Sequence, residues 1–173
     1  MLIRDAVADS DAAACAAIYA PYVTETEVTF ETEPPDAAEF RHRIEEAQRR
    51  HAWLIAENDG NTVGYAYAGP FKGRAAYRFS CEVSVYLDPA ARGRGVGRAL
   101  YDELLARLTT DGMRMACAGI TLPNDASLAL HRALGFTEVG IYRRIGWKHG
   151  AWRDVAWFQK SLGGDPDAPP AGV

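Results

Sequence analysis

Cysteine is scarce in this 173-residue sequence: only Cys15, Cys81 and Cys117 occur. They are widely spaced and odd in number, with no Cys-x-x-Cys and no His/Cys cluster at ligand spacing, so neither a disulfide framework nor a metal site is expected. Long apolar runs are also missing. No stretch approaches the ~20 residues of a membrane span, and Met1-Leu2-Ile3 passes straight into Arg4-Asp5 without the pattern of a signal peptide, so a cytoplasmic protein without a membrane partner is expected. There is no basic excess: 19 Lys and Arg stand against 23 Asp and Glu, a net charge of -4, which argues against a nucleic-acid partner. What remains is 48% hydrophobic and 24% charged, the composition of a folded globular domain. The length suits a single domain, expected over residues 1–162, with a disordered tail over 163–173.

Leu2 to Ala6 reads as a short strand, and Asp9 or Ser10 as the cap of an Ala-rich helix over Ala12 to Tyr19 that stops near Pro21. Val23 to Thr32, rich in Thr and Val, predicts a strand ended by Pro34-Pro35. Asp36 stands three residues before Glu39 and leads Phe40, Ile44 and Ala47 at helical spacing, the signature of a capped surface helix. Ala52 to Ala56 and Val63 to Ala68 flank Asn58-Asp59-Gly60-Asn61, a hairpin turn. Pro70 to Arg74 reads as an exposed loop. Tyr77 to Leu87 alternates, with Cys81, Val83, Val85 and Leu87 on a core face and Arg78, Ser80, Glu82, Ser84 and Tyr86 on a candidate cleft face. A helix carrying Leu100, Leu104 and Leu108 follows and is closed by Gly112; then come a strand over Met115 to Leu122 and a short helix from Asp125 to Leu134, stopped at Gly135. Strands Glu138 to Trp147 and Arg153 to Gln159 complete an α/β architecture with a mixed, mostly antiparallel sheet flanked by helices.

The segment with the clearest chemistry joins strand Val83 to Leu87 to Arg92-Gly93-Arg94-Gly95-Val96-Gly97-Arg98 at a helix start. Free backbone N–H groups and the positive end of a helix dipole converge there, and glycines let an anion approach the backbone. The expected ligand is a pyrophosphate, with Arg92, Arg94 and Arg98 adding charge. No Gly-Lys-Ser/Thr ends the turn, and Gly93-x-Gly95-x-Gly97 lacks dinucleotide spacing. Downstream, Asn124, Ser127 and His131 fall on one helical face, opposite an apolar Leu130 and Leu134.

The Arg/Gln-x-x-Gly-x-Gly pattern and the Leu134-Gly135-Phe136 ending resemble the GNAT acetyltransferase superfamily. Val28-Thr29-Phe30-Glu31-Thr32-Glu33-Pro34, Ala68-Gly69-Pro70-Phe71-Lys72, Glu82, Leu122-Pro123-Asn124-Asp125 and Lys148-His149-Gly150-Ala151-Trp152-Arg153-Asp154 are similar to its phosphinothricin and methionine sulfone/sulfoximine branch. That resemblance implies a GNAT fold, acetyl-CoA as cosubstrate and acetylation of the α-amino group of a small amino acid. It implies pantetheine contacts through the backbone of Val85, Tyr86 and Leu87, a pyrophosphate loop from Gly93 through Gly95, Val96 and Gly97 to Arg98, CoA contacts at Asn124 and Ser127, and a homodimer. His131 stands where most relatives carry a tyrosine as general acid.

With the pyrophosphate at the end of the strand, the thioester lies back along it, and Glu82 is three residues, or ~10 Å, upstream of Val85. An ammonium has no lone pair, so a carboxylate that accepts its proton is needed; Glu82 is the expected base and His131 the expected donor to the thiolate. Lys72, Arg74 and Arg78 form a basic set able to anchor a substrate carboxylate, with Phe30, Phe71 and Gly73 as further substrate contacts. Trp147, Trp152 and Trp157 read as core or interface aromatics. Acetylation of another amine, such as a polyamine, aminoglycoside or peptide N-terminus, and a non-catalytic acyl-CoA sensor stay open as alternatives.

Overall fold

A computed structural model describes residues 1–165, 167 and 168. The chain runs β1 (Leu2–Asp5), α1 (Ala8–Thr24), α2 (Ala37–Gln48), β2 (Trp53–Asn58), β3 (Asn61–Pro70), β4 (Ser80–Leu87), α3 (Val96–Thr110), β5 (Met115–Thr121), α4 (Asp125–Ala133), β6 (Thr137–Lys148) and β7 (Ala151–Ser161). The expected tail falls partly on residues 166 and 169–173, which lie outside the described residues. Among the described residues no helix is long and apolar enough to cross a membrane.

The seven strands form one sheet in the order β1-β2-β3-β4-β5-β7-β6. All neighbours are antiparallel except β4 and β5, which pair in parallel for only three positions, ending at Glu82 opposite Cys117. Beyond that rung the two strands part. Alternate residues feed two cores: Ala66, Ala68, Cys81, Val83, Ala116 and Ala118 pack with α3, while Trp53, Ile55 and Tyr65 pack with α1 and α2. Both layers are needed to cover a sheet with two apolar faces.

Local rules account for several elements as expected. The Asp36 carboxylate accepts the Glu39 N–H at 2.8 Å and caps α2. Asp59 and Gly60, at φ 49° and 79°, make the left-handed turn that joins β2 to β3. Gly95 at φ 79° starts α3, and Gly135 at φ 82° follows α4.

Four expectations are corrected. The first helix starts at Ala8, with Val7 as its cap. The Asp11 carboxylate takes the Val7 N–H at 2.7 Å and is itself forked by Arg4 at 2.7 and 2.8 Å. Pro21 does not stop α1, which runs on to Thr24, because a missing N–H removes one helical bond and the packing of Tyr19 and Val23 outweighs it. Val23 to Thr32 is no strand: Val23 and Thr24 end the helix, and 25–36 is irregular. The segment crosses the sheet instead of joining an edge, and side chains satisfy its carbonyls: Thr121 donates to Val28 O and Lys148 to Thr29 O. The strand expected from Tyr77 begins at Ser80, since Ala75–Tyr77 forms a 3₁₀ turn and Arg78 N–H bonds back to Ala75 O.

Candidate active site

The parting of β4 from β5 is the origin of the site. Asp88 N–H reaches Val63 O and Phe71 N–H reaches Ser80 O, so the even-numbered residues along β4 spend their backbone bonds on β3. The odd-numbered ones, including Val85 and Leu87, turn theirs toward β5. Past Glu82 there is no β5 neighbour to meet them. The cleft is therefore a gap at a strand edge and not one face of β4, and residues from both faces border it: Val83 and Val85 with Ser84 and Tyr86, facing Gly119, Asn124 and His131. Val85, Tyr86 and Leu87, the expected pantetheine contacts, differ in where their backbone groups go. Tyr86 turns its groups to β3, and the Tyr22 hydroxyl takes both groups of Leu87, donating to its C=O at 2.8 Å and accepting its N–H at 3.2 Å. Val85 alone of the three offers its backbone to the gap.

At the wide end of the gap lies the Arg92 to Gly95 turn. Gly93 and Gly95 have φ of 72° and 79°, and a Cβ added at either would meet nothing within 4 Å, so the turn leaves an open concavity over the start of α3. Gly95 is the N-cap and no side chain caps the helix. The first N–H groups of α3, at Val96, Gly97 and Arg98, are thus presented to an anion, the arrangement a pyrophosphate fits. Arg94 is exposed, Arg98 pairs with Asp102 at 3.6 Å, and Arg92 lies over the Tyr22 ring at 5.0 Å.

Glu82 sits at the narrow end, on the last rung shared by β4 and β5. Its carboxyl is pushed above the usual carboxylate range by burial, an effect partly opposed by Lys72. No ion pair to Glu82 forms among the described residues; Arg78, expected on the same face, instead lies over the Phe79 ring and bonds to Ala75 O.

On the α4 wall, Asn124 lines the cleft, and its side-chain oxygen accepts Ser127 N–H at 3.1 Å and caps the helix. His131 is 2% exposed, and its Nδ1 lies 2.8 Å from Ser127 O. A carbonyl only accepts, so the proton is on Nδ1 and Nε2 carries a lone pair; that buried Nε2 has no hydrogen-bond partner. Burial lowers its pKa, opposed by the Ser127 carbonyl.

The expected substrate residues divide between two cavities and a strap. Phe71 and Lys72 line a cavity of ≈ 510 Å³ with Cys117 and Trp157, on the Glu82 side of the sheet. The Lys72 amine lies 5.1 Å from the Phe71 ring centroid and 6.0 Å from that of Trp157. Trp157 therefore borders the site, beyond the core or interface role expected of it. Gly73, Arg74 and Arg78 line a second cavity of ≈ 310 Å³ with Lys72 and with Arg50, which sequence reasoning missed. Phe30 stands apart, its ring over Gly146 of β6, where any Cβ would clash at 2.3 Å. Tyr22 was also missed, being one tyrosine among eight with its partner 65 residues away.

The chain matches the family model described as an acetyltransferase (GNAT) domain over residues 4–157. It is 41% identical to a phosphinothricin N-acetyltransferase of Streptomyces viridochromogenes over 171 residues, covering 99% of this chain and 92% of that protein. A methionine sulfoximine/methionine sulfone acetyltransferase of Salmonella typhimurium is 33% identical, with 88% of this chain and 92% of that protein covered. The crystal structure of a phosphinothricin acetyltransferase from Sinorhizobium meliloti in complex with acetyl-CoA superposes with a TM-score of 0.94 at 41% identity, covering 99% of this chain and 94% of that one. A family match that runs from β1 into β7 takes in the gap, its loop and Glu82 together, and the chain therefore belongs to the GNAT acetyltransferase family.

Proposed function

We propose that this enzyme transfers the acetyl group of acetyl-CoA to the α-amino group of a small amino acid or analogue of the phosphinothricin or methionine sulfone/sulfoximine type. The observation that carries the reading is the position of Glu82. It stands at the narrow end of the gap, away from the anion loop, on the rung it shares with Cys117 of the Lys72–Trp157 cavity, with its carboxyl raised by burial toward the range of a working base. The pyrophosphate lies over Gly93 to Arg98, the arm follows the gap past Val85, Asn124 and Ser127, and the thioester reaches Glu82.

The substrate arrives as an ammonium. Glu82 accepts one proton, directly or through water; the nitrogen lone pair attacks the thioester carbon, an N–C bond forms and the C–S bond breaks. The sulfur leaves as a thiolate and the nitrogen sheds its second proton to solvent. His131 is the proposed donor to sulfur. Its Nδ1–H is held by Ser127 O, so the donated proton comes from Nε2 of the imidazolium, a form that burial makes scarcer and more acidic.

Lys72, Arg74 and Arg78 are the proposed carboxylate readers, with Phe30, Phe71 and Gly73 shaping the pocket. A homodimer is the proposed assembly: Val139, Ile141, Tyr142, Ile145, Trp147 and Trp152 leave large apolar side chains exposed on the β6–β7 end of the sheet. We place the protein in the cytoplasm, a compartment that suits three buried, unbonded cysteines.

Thiol release measured over a panel of amines tests the reading, with phosphinothricin and methionine sulfone expected to exceed polyamines, aminoglycosides and peptides. Single alanine variants of Lys72, Arg74 and Arg78, assayed with an amino acid and with its α-amide, test the anchor. Losing the correct donor raises KM for the acid about ten- to a hundredfold and spares the amide, the size of one charge-assisted hydrogen bond. If no variant narrows the preference for acid over amide, the basic set does not read the carboxylate.

A further inference from the structure

Two almost fully buried polar side chains on the α3 and α4 walls of the gap lack protein partners for the groups they turn to it. His131 Nε2 carries a lone pair and bonds to nothing. Tyr101, 1% exposed on α3, lies edge-on to the same imidazole, 5.2 Å between ring centroids, and lines the gap with it. Among the described residues no group hydrogen-bonds the Tyr101 hydroxyl. A phenylalanine would fill the same space against His131 and Phe136 without burying a hydroxyl, so packing does not account for this oxygen.

What surrounds the hydroxyl shows which end of the gap it serves. Burial pushes its pKa up, and the neighbouring Tyr67 and Glu82 act in the same direction. Glu82 is on the last rung shared by β4 and β5, and Tyr67 pairs with Ser84 two residues along. The phenol thus stands at the narrow end, across the gap from the proposed base and away from the anion loop. We propose that the Tyr101 hydroxyl is a further catalytic group, which donates a hydrogen bond to the sulfur of acetyl-CoA and stabilises the thiolate as the C–S bond breaks. This rests on the acetyl-CoA site proposed above. The phenol keeps its proton: its raised pKa makes it a weaker acid than a thiol, so transfer to the thiolate would run uphill, and the proton that reaches sulfur comes from His131. The sulfur of the intact thioester is a weak acceptor, so the bond strengthens only as charge develops.

Tyr101→Phe keeps the ring and removes only the donor. Acetyl-CoA affinity measured by calorimetry is expected within about threefold of wild type, whereas the single-turnover rate of acetyl transfer falls about ten- to a hundredfold, the size of a hydrogen bond to a charged group. The product thiol gives a readout that a packing role would not move. At about pH 9.5, above the usual range of a thiol, CoA binds as the thiolate, and its affinity relative to CoA lacking the sulfhydryl is expected to fall by a similar factor in the variant; near about pH 6 the ratio is the same in both proteins. A ratio equal in the two proteins at both pH values overturns the proposal even if the rate falls. So does an unchanged rate, or an equal loss of affinity for CoA with and without its sulfhydryl. Gly95→Val in parallel separates the two levels: if it leaves CoA binding unchanged, the cosubstrate site itself is misplaced.

Discussion

The anion loop at Arg92–Gly95 and the strap at 26–31 border the same gap, but they are made in different ways. The loop is local: its turn geometry, the open space above it and the α3 N–H groups come from consecutive residues, and the ligand would meet backbone more than side chains. The strap is assembled from far apart. Tyr19 hydrogen-bonds Thr29 and Glu31, Arg43 pairs with Glu31 at 2.7 Å, Thr121 donates to Val28 O, Lys148 donates to Thr29 O and Phe30 covers Gly146. A backbone site tolerates side-chain change and holds a chemical group common to a whole family. A side-chain site changes with each substitution, which suits the half that distinguishes one amine from another.

The largest expected effect is at the loop. Gly95→Val places a β-branched residue at φ 79° and fills the open space with its side chain. CoA affinity should fall at least ~100-fold while the far-ultraviolet spectrum and the cooperative melt persist, since the position is exposed. Affinity within about threefold of wild type would show that the pyrophosphate lies elsewhere.

Glu82→Gln tests the point where the two halves meet. Removing the proposed base should lower kcat/KM by about a hundredfold near neutral pH, with less loss at high pH, where the free amine is abundant. Stability should move the other way. A carboxyl whose pKa rises on folding contributes stability below its unfolded value, and that contribution is lost as pH increases through the folded value. At neutral pH the half-buried carboxylate is therefore a liability that glutamine lacks, and Tm should rise by about 1–3 °C. Full activity in the variant would leave water or a backbone carbonyl as the proton acceptor.

The same contrast decides what was legible in the sequence. The glycine-rich loop, the Asp36 cap and the Asp59-Gly60 turn are set by residues within a few positions of one another, and all three are where the pattern puts them. The resemblance brought Glu82 and His131 into view, but not the His131 tautomer, which depends on a carbonyl one turn away. Thr and Val at 23–32 suggested a strand because propensity carries no information about available edges. Tyr22, Arg50 and Trp157 carried no local signal, since their importance comes from contacts across the fold. Arg78 was misplaced because it caps the three-residue 3₁₀ turn Ala75–Tyr77 and so lies ahead of the cleft strand, which starts at Ser80.

The smallest effect is expected where the strap is pinned to the sheet. Lys148 is 5% exposed and Thr29 8%, and the amine donates to Thr29 O at 2.7 Å. Burial lowers the lysine pKa, and the charges of Glu27 and Glu31 oppose the shift by favouring the ammonium. Methionine matches the four-atom apolar stem of lysine but lacks the terminal amine and leaves the carbonyl without its donor, a loss of ~1–3 kcal/mol for a buried group. Lys148→Met should lower Tm by several degrees and raise KM for the amine about tenfold as Phe30 and Val28 loosen. The KM for acetyl-CoA should change by less than about threefold, because the loop at Arg92–Gly95 makes no use of the strap. Parallel loss of both constants would mean that the strap supports the cosubstrate arm through Val28, which borders the narrow gap beside Val85, and that the two halves of the site are not built independently.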